Sequence, residues 1–146
     1  MEHKIEKALI TFRSGYNCAQ SVLIAYSEQL KFDNGLALSI STGFGGGMGR
    51  LQETCGAVTG AFMVLGVHNC RKYADNGDRK NKTYAMVQDF DRKFKALHKT
   101  TSCKELLGCD LKTPDGHKIF NENKLVETVC EKCITNSINI LDELMA

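Results

Sequence analysis

The sequence predicts an all-α fold, a compact orthogonal or bundle array of five to seven helices with a glycine-rich loop. Three observations carry that expectation. Apolar residues recur three and four apart along most of the chain, which is the period of one helix face. Helix-start signals stand ahead of two such runs, at Asn17 with Gln20 three residues on and at Ser102 with Glu105 three residues on. No stretch alternates convincingly with period two, so no strand is expected.

The elements follow in order. Lys4 to Phe12 places Ile5, Ala8, Leu9 and Phe12 on one helical face, and Ser14-Gly15 ends it. A second helix runs from Cys18 to about Leu30 behind the Asn17 cap. Asp33-Asn34-Gly35 reads as a turn, and Leu36 to about Thr42 as a short helix with Leu36 and Ile40 one turn apart. Then comes a loop with Gly43, Gly45, Gly46, Gly47 and Gly49, glycines dense enough to mark a backbone path that side chains would block. The central helix is expected from near Gln52 to about Leu65. In it Gly56 and Gly60, beside Ala57 and Ala61, make a flat strip for another backbone, within the chain or across a dimer. Asn69 to Asp78 reads as a surface loop. A long helix after Asp78 carries Tyr84, Val87, Phe90, Phe94 and Leu97 inward. Ser102 starts a short helix that closes at Gly108, and Lys112 to Gly116 reads as a turn. The last helix, about Asn123 to Leu144, turns Val126, Val129, Cys130, Ile134, Ile138 and Leu141 inward.

Length and charge bound the function classes. A chain of 146 residues suits one domain, 1–146, with a real core. Seventeen acids nearly balance nineteen bases, so bulk charge argues for neither nucleic acid nor membrane binding. The charged start, Met1 to Lys7, is no secretory signal, and no apolar run approaches the roughly 20 residues of a membrane helix. A cytoplasmic location is the expectation.

The cysteines are the chemical signal. Seven thiols are many for a reducing compartment, and an odd number argues against a simple disulfide framework. Cys18, Cys55 and Cys103 each follow a residue suited to cap a helix, namely Asn17, Thr54 and Ser102. That puts them at first helical positions, where free amides and the helix dipole favour thiolate. Cys130 belongs to Cys130-Glu-Lys-Cys133, whose cysteines share one apolar helix face. Cys70, Cys109 and Cys133 read as small core hydrophobes.

At these residues the chain resembles a known family. Gly15-Tyr-Asn-Cys-Ala-Gln20, Gly43-Phe-Gly-Gly-Gly-Met-Gly49, Cys55-Gly-Ala-Val-Thr-Gly60, Ser102-Cys103 and Val129-Cys130 together resemble the C_GCAxxG_C_C family of proposed redox-active proteins. The signature glycine before the second cysteine is Thr54 here, a departure from the pattern. The resemblance implies that Cys18, Cys55, Cys103 and Cys130 are the four signature cysteines. It also implies a tie to an iron–sulfur centre, since a similar module occurs in split-Soret cytochromes.

Three readings follow. In the first, Cys18, Cys55, Cys103 and Cys130 hold an iron–sulfur cluster of the 2Fe–2S type for electron transfer or redox sensing. Backbone amides of Gly45, Gly46 and Gly47 would then approach the cluster sulfurs. In the second, no metal is bound, Cys55 is a redox nucleophile and Cys18 or Cys103 resolves it. In the third, the cysteines hold a structural zinc, or the chain is a helical scaffold for a partner. His3, His68, His98 and His117 are expected to be bystanders, and Arg50 a solvated side chain rather than an anion holder. The glycine loop lacks the Gly-Lys-Ser/Thr ending of a phosphate loop. A redox partner and a homodimer are expected partners. All three chemical readings require distant sulfurs to meet in space.

Overall fold

The computed structural model of the chain describes residues 2–146, and these are 78% helical with no strand. Nine α-helices stand among the described residues where five to seven were expected. They are α1 Glu2–Arg13, α2 Cys18–Ile24, α3 Ser27–Leu30, α4 Asn34–Ser41, α5 Gly56–Lys72, α6 Asn76–His98, α7 Cys103–Leu107, α8 Pro114–Glu122 and α9 Glu131–Met145. Among the described residues no helix is long and apolar enough to cross a membrane.

The extra helices have local causes. The second expected helix breaks after Ile24, where the Tyr26 amide bonds Leu23 in a tightened turn. Asp33 is not in a turn but caps α4, accepting from the Leu36 amide at 2.7 Å. Thr113 likewise caps α8, with Pro114 at its first position, so the expected Lys112–Gly116 turn is a helix start. The central helix begins at Gly56 rather than near Gln52 and runs on to Lys72, absorbing the first four residues of the expected loop at Asn69–Asp78.

The α5 glycine strip packs inside the chain. A Cβ on Gly60 would meet the Ala19 carbonyl oxygen at 2.7 Å and Ala19 Cα at 3.0 Å, so α2 lies backbone to backbone on α5. That contact uses the surface considered above for a dimer. α9 crosses α1, α5 and α6 and closes the main core with Ile134, Ile138 and Leu141, all fully buried. Phe90 and Phe94 of α6 are buried as expected, with Phe62 edge-on to Phe90 at 5.8 Å between ring centroids. Tyr84 and Leu97 were expected beside them but are 58% and 60% exposed, because the inward stripe of α6 is narrower than its apolar pattern. Leu36 and Ile40 are also exposed, while Ala37 and Ser41 face inward. Tyr26 is fully buried and donates to Asp142 Oδ1 at 2.8 Å, where Lys4 also binds at 2.7 Å.

The glycine-rich stretch is not an open loop. Gly46, Gly47, Met48, Gly49 and Arg50 all take φ between 63° and 68°, and Gln52 takes 56°. This is a tight left-handed turn. The three non-glycine residues cost roughly 1–2 kcal/mol each in that conformation, and packing must offset it. Gly47 has no alternative: a Cβ there would lie 2.6 Å from Cys103 Cβ and 2.7 Å from Gln52 Cα.

Candidate functional site

The left-handed turn has a consequence for the cysteines. It delivers Gln52–Cys55 alongside Thr101–Lys104 in a short antiparallel clasp. Cys55 N–H donates to Thr101 O at 2.7 Å, Cys103 N–H to Glu53 O at 2.6 Å and Lys104 N–H to Gln52 O at 3.2 Å. Thr54 pairs with Ser102 in a single antiparallel bridge. The clasp brings Cys55 and Cys103 together although nearly fifty residues separate them.

Gln52 locks the other side. Its buried amide donates to Cys109 O at 3.0 Å and accepts from Leu111 N–H at 2.8 Å, and it also meets the Cys103 thiol. Gln52 was not singled out from the sequence, since a lone glutamine beside a glycine run carries no spacing signal.

Cys18 is placed from the opposite direction. Asn17 and Gln20 form the expected capping box, with bonds of 2.9 and 2.8 Å. Gln20 Nε2 reaches Leu38 O and Asn17 Nδ2 reaches Thr42 O, which pins the start of α2 to the end of α4. Cys130 ends a π-helical turn, Val126–Cys130, that leads into α9. Such turns re-aim side chains relative to a regular helix. Arg13 holds the first residue of α9 through a two-pronged bond to Glu131 at 2.7 and 3.0 Å.

These elements surround one cavity of about 250 Å³. Cys18, Cys55, Cys103 and Cys130 all line it, and so does Cys133. Leu107, Leu111, Phe120 and Val129 make an apolar wall, and Arg50 and His117 supply the basic groups on the lining. Gly46 and Gly47 line the cavity, whereas Gly45 is packed against Asn17. Arg50 is exposed, as expected, but its position at the cavity was not foreseen. His117 also has a place that spacing did not signal, because the turn assignment hid α8. Cys70 is exposed on α5, and Cys109 is buried in a small cluster with Cys103, Leu107 and Leu125.

All seven cysteines are free thiols, and within the cavity Cys18 neighbours Cys130 while Cys55 neighbours Cys133. The neighbouring Cys130, reinforced by burial, raises the Cys18 thiol well above its ordinary range. Burial, then the nearby Cys55 and Cys130, pushes Cys103 up to about 12. Against the expectation of easy thiolates at helix starts, the neighbouring Cys130 and then burial raise Cys18, and burial raises Cys103. Cys55 alone is shifted down, by the neighbouring Cys133 against the burial penalty, and then by the Ala57 and Val58 amides it faces. It is also not the first residue of α5. It takes the cap position itself, with no side-chain capping bond, while Thr54, the expected cap, lies in the clasp.

No group of three or more His, Cys, Asp or Glu is set around a metal-sized point among the described residues. The donor chemistry of the cavity is nonetheless that of a soft-metal site, with five thiols facing one space. A family model described as "Putative redox-active protein (C_GCAxxG_C_C)" matches residues 16–144. The chain belongs to this family. No curated protein and no solved structure matches it. Cys55 is held by the clasp, and Cys18 and Cys130 line the same cavity.

Proposed function

We propose that the chain is a redox protein whose cavity holds an iron–sulfur centre, of the 2Fe–2S type, on Cys18, Cys55, Cys103 and Cys130. One observation carries the reading: thiols from four separate segments line a single small cavity with apolar walls. Such a centre, when bound, supplies one-electron transfer. The chain's own groups do the rest. The clasp and the capping box fix three of the sulfurs through their backbones, so little chain entropy is lost on loading. The apolar wall excludes water, and amides near Gly46 and Gly47 are the donors available to tune sulfur charge. Loading must release protons from the free thiols. Uptake therefore strengthens as pH rises.

The test is anaerobic expression and purification, followed by iron, zinc and acid-labile sulfide analysis with visible and electron paramagnetic resonance spectra. The expected result is iron with matching sulfide and a visible charge-transfer band. Cys18→Ala and Cys103→Ala should lose both while keeping their helical circular dichroism. Equimolar zinc without sulfide would replace this reading with a structural zinc. Metal-free protein under these conditions would leave thiol–disulfide chemistry as the function.

A further inference from the structure

Cys133 lies outside the four signature cysteines, yet it lines the same cavity as Cys55, and the two are buried together in the main core. We propose that Cys55 and Cys133 form a reversible dithiol–disulfide couple within the cavity, oxidised by a small hydroperoxide. The partner choice follows from contacts. Cys103 is buried in the separate cluster with Cys109, against which Cys130 packs, whereas Cys55 and Cys133 are both buried in the main core. Both backbones are anchored, Cys55 by Thr101 O at 2.7 Å and Cys133 in the first turn of α9. A disulfide requires the two sulfurs to close to a bond of about 2.05 Å.

Burial selects the oxidant. Cys55 is 7% exposed and Cys133 is 1% exposed, so any reagent must pass through a cavity of about 250 Å³. A hydroperoxide is small enough, whereas a peptide disulfide is not. The Cys55 sulfur attacks the peroxide, an S–O bond forms, the O–O bond breaks and an alcohol (water, for hydrogen peroxide) leaves with a proton. The Cys133 sulfur then attacks the Cys55 sulfenic acid, the S–S bond forms and water leaves. The pair gives up two electrons, which reduce the O–O bond. An added dithiol reverses the change by exchange. The disulfide removes Cys55 from the proposed ligand set, so the two states exclude each other. The couple itself does not depend on the iron–sulfur reading, because it is tested on metal-free protein.

The experiment uses the full-length, metal-free, reduced chain carrying Cys70→Ser, which removes the exposed thiol. It is treated anaerobically with one equivalent of hydrogen peroxide, alkylated and digested with trypsin without reduction. Cleavage after Lys132 separates Cys130 from Cys133, so mass spectrometry distinguishes them. The expected result is loss of two thiols per chain, a Cys55–Cys133 cross-linked peptide, and recovery of both thiols with dithiothreitol. In Cys133→Ala, dimedone should trap Cys55 sulfenic acid instead. Should that variant misfold, the cross-link map of the parent chain decides alone. Cys55 left reduced, over-oxidised or paired with another cysteine overturns the proposal. Metal analysis of the untreated protein reports separately on the iron–sulfur reading.

Discussion

Two glycines in α5 should respond to the same substitution with opposite signs. Gly60 and Gly66 are both interior to Gly56–Lys72. A Cβ on Gly66 meets nothing within 4 Å, so Gly66→Ala gains only helix propensity, about 0.8–1 kcal/mol. Gly60→Ala gains the same propensity, but its Cβ would lie 2.7, 3.0 and 3.3 Å from the oxygen, Cα and carbonyl carbon of Ala19. Those are backbone atoms of α2 and cannot rotate aside, so α2 must be pushed off α5. Overpacking of this kind costs about 1–3 kcal/mol. The propensity gain cancels between the two variants, which isolates the packing cost as a gap of about 1–3 kcal/mol. In melting temperature that is on the order of 4 °C per kcal/mol for a domain this size. The assay is urea and thermal unfolding of reduced, metal-free protein by far-ultraviolet circular dichroism. Equal stabilities, or a Gly60→Ala variant more stable than Gly66→Ala, would refute the α2–α5 contact. Cys18 leads α2, so the same error would misplace one wall of the cavity.

Three further outcomes are expected. Gln52→Ala leaves Cys109 O and Leu111 N–H without their partner and should cost about 2–4 kcal/mol, with faster alkylation of Cys109; unchanged unfolding would mean that Gln52 does not hold this loop. Burial, and then the bond to Asp142, raises the Tyr26 phenol above its ordinary 10.0, and Cys18 and Cys103 are raised above 9.0. Above these ordinary values the unfolded chain releases protons that the folded chain keeps, so stability is full at neutral pH and falls as pH rises past about 9. Tyr26→Phe should make that decline shallower above pH 10, and an identical slope would count against a buried neutral phenol. Finally, a dilute alkylating agent should modify Cys70 first, as the exposed thiol; an earlier reaction at Cys55 or Cys103 would show that the cavity opens to solvent.

How much was legible follows from the range of each interaction. The Asn17 and Ser102 caps, the end of α1 at Gly15 and the inward stripe of Ile134, Ile138 and Leu141 depend on residues within a turn or two of one another. Helix caps and helical period act at that range, so the all-α class and most helices could be read directly. The same locality explains the errors. Pro114-Asp-Gly116 has turn composition and also helix-start composition, and nothing nearby separates the two. Tyr84 and Leu97 continue an apolar pattern, but whether a face is covered depends on a distant partner.

What the sequence determined by itself was therefore the all-α class, most of the helices, the glycine requirement ahead of α5 and the family. Only the tertiary structure decided which sulfurs are neighbours. The nearness of Cys55 to Cys133 and of Cys18 to Cys130, and the clasp that seats Cys103, join segments far apart in the chain. Such contacts are set by how α2, α5 and α9 pack as bodies, and packing depends on shape across the whole core rather than on the residues beside each cysteine. The nearness of Cys130 and the burial that raise the Cys18 thiol, and the burial that raises Cys103, are likewise properties of the assembled fold.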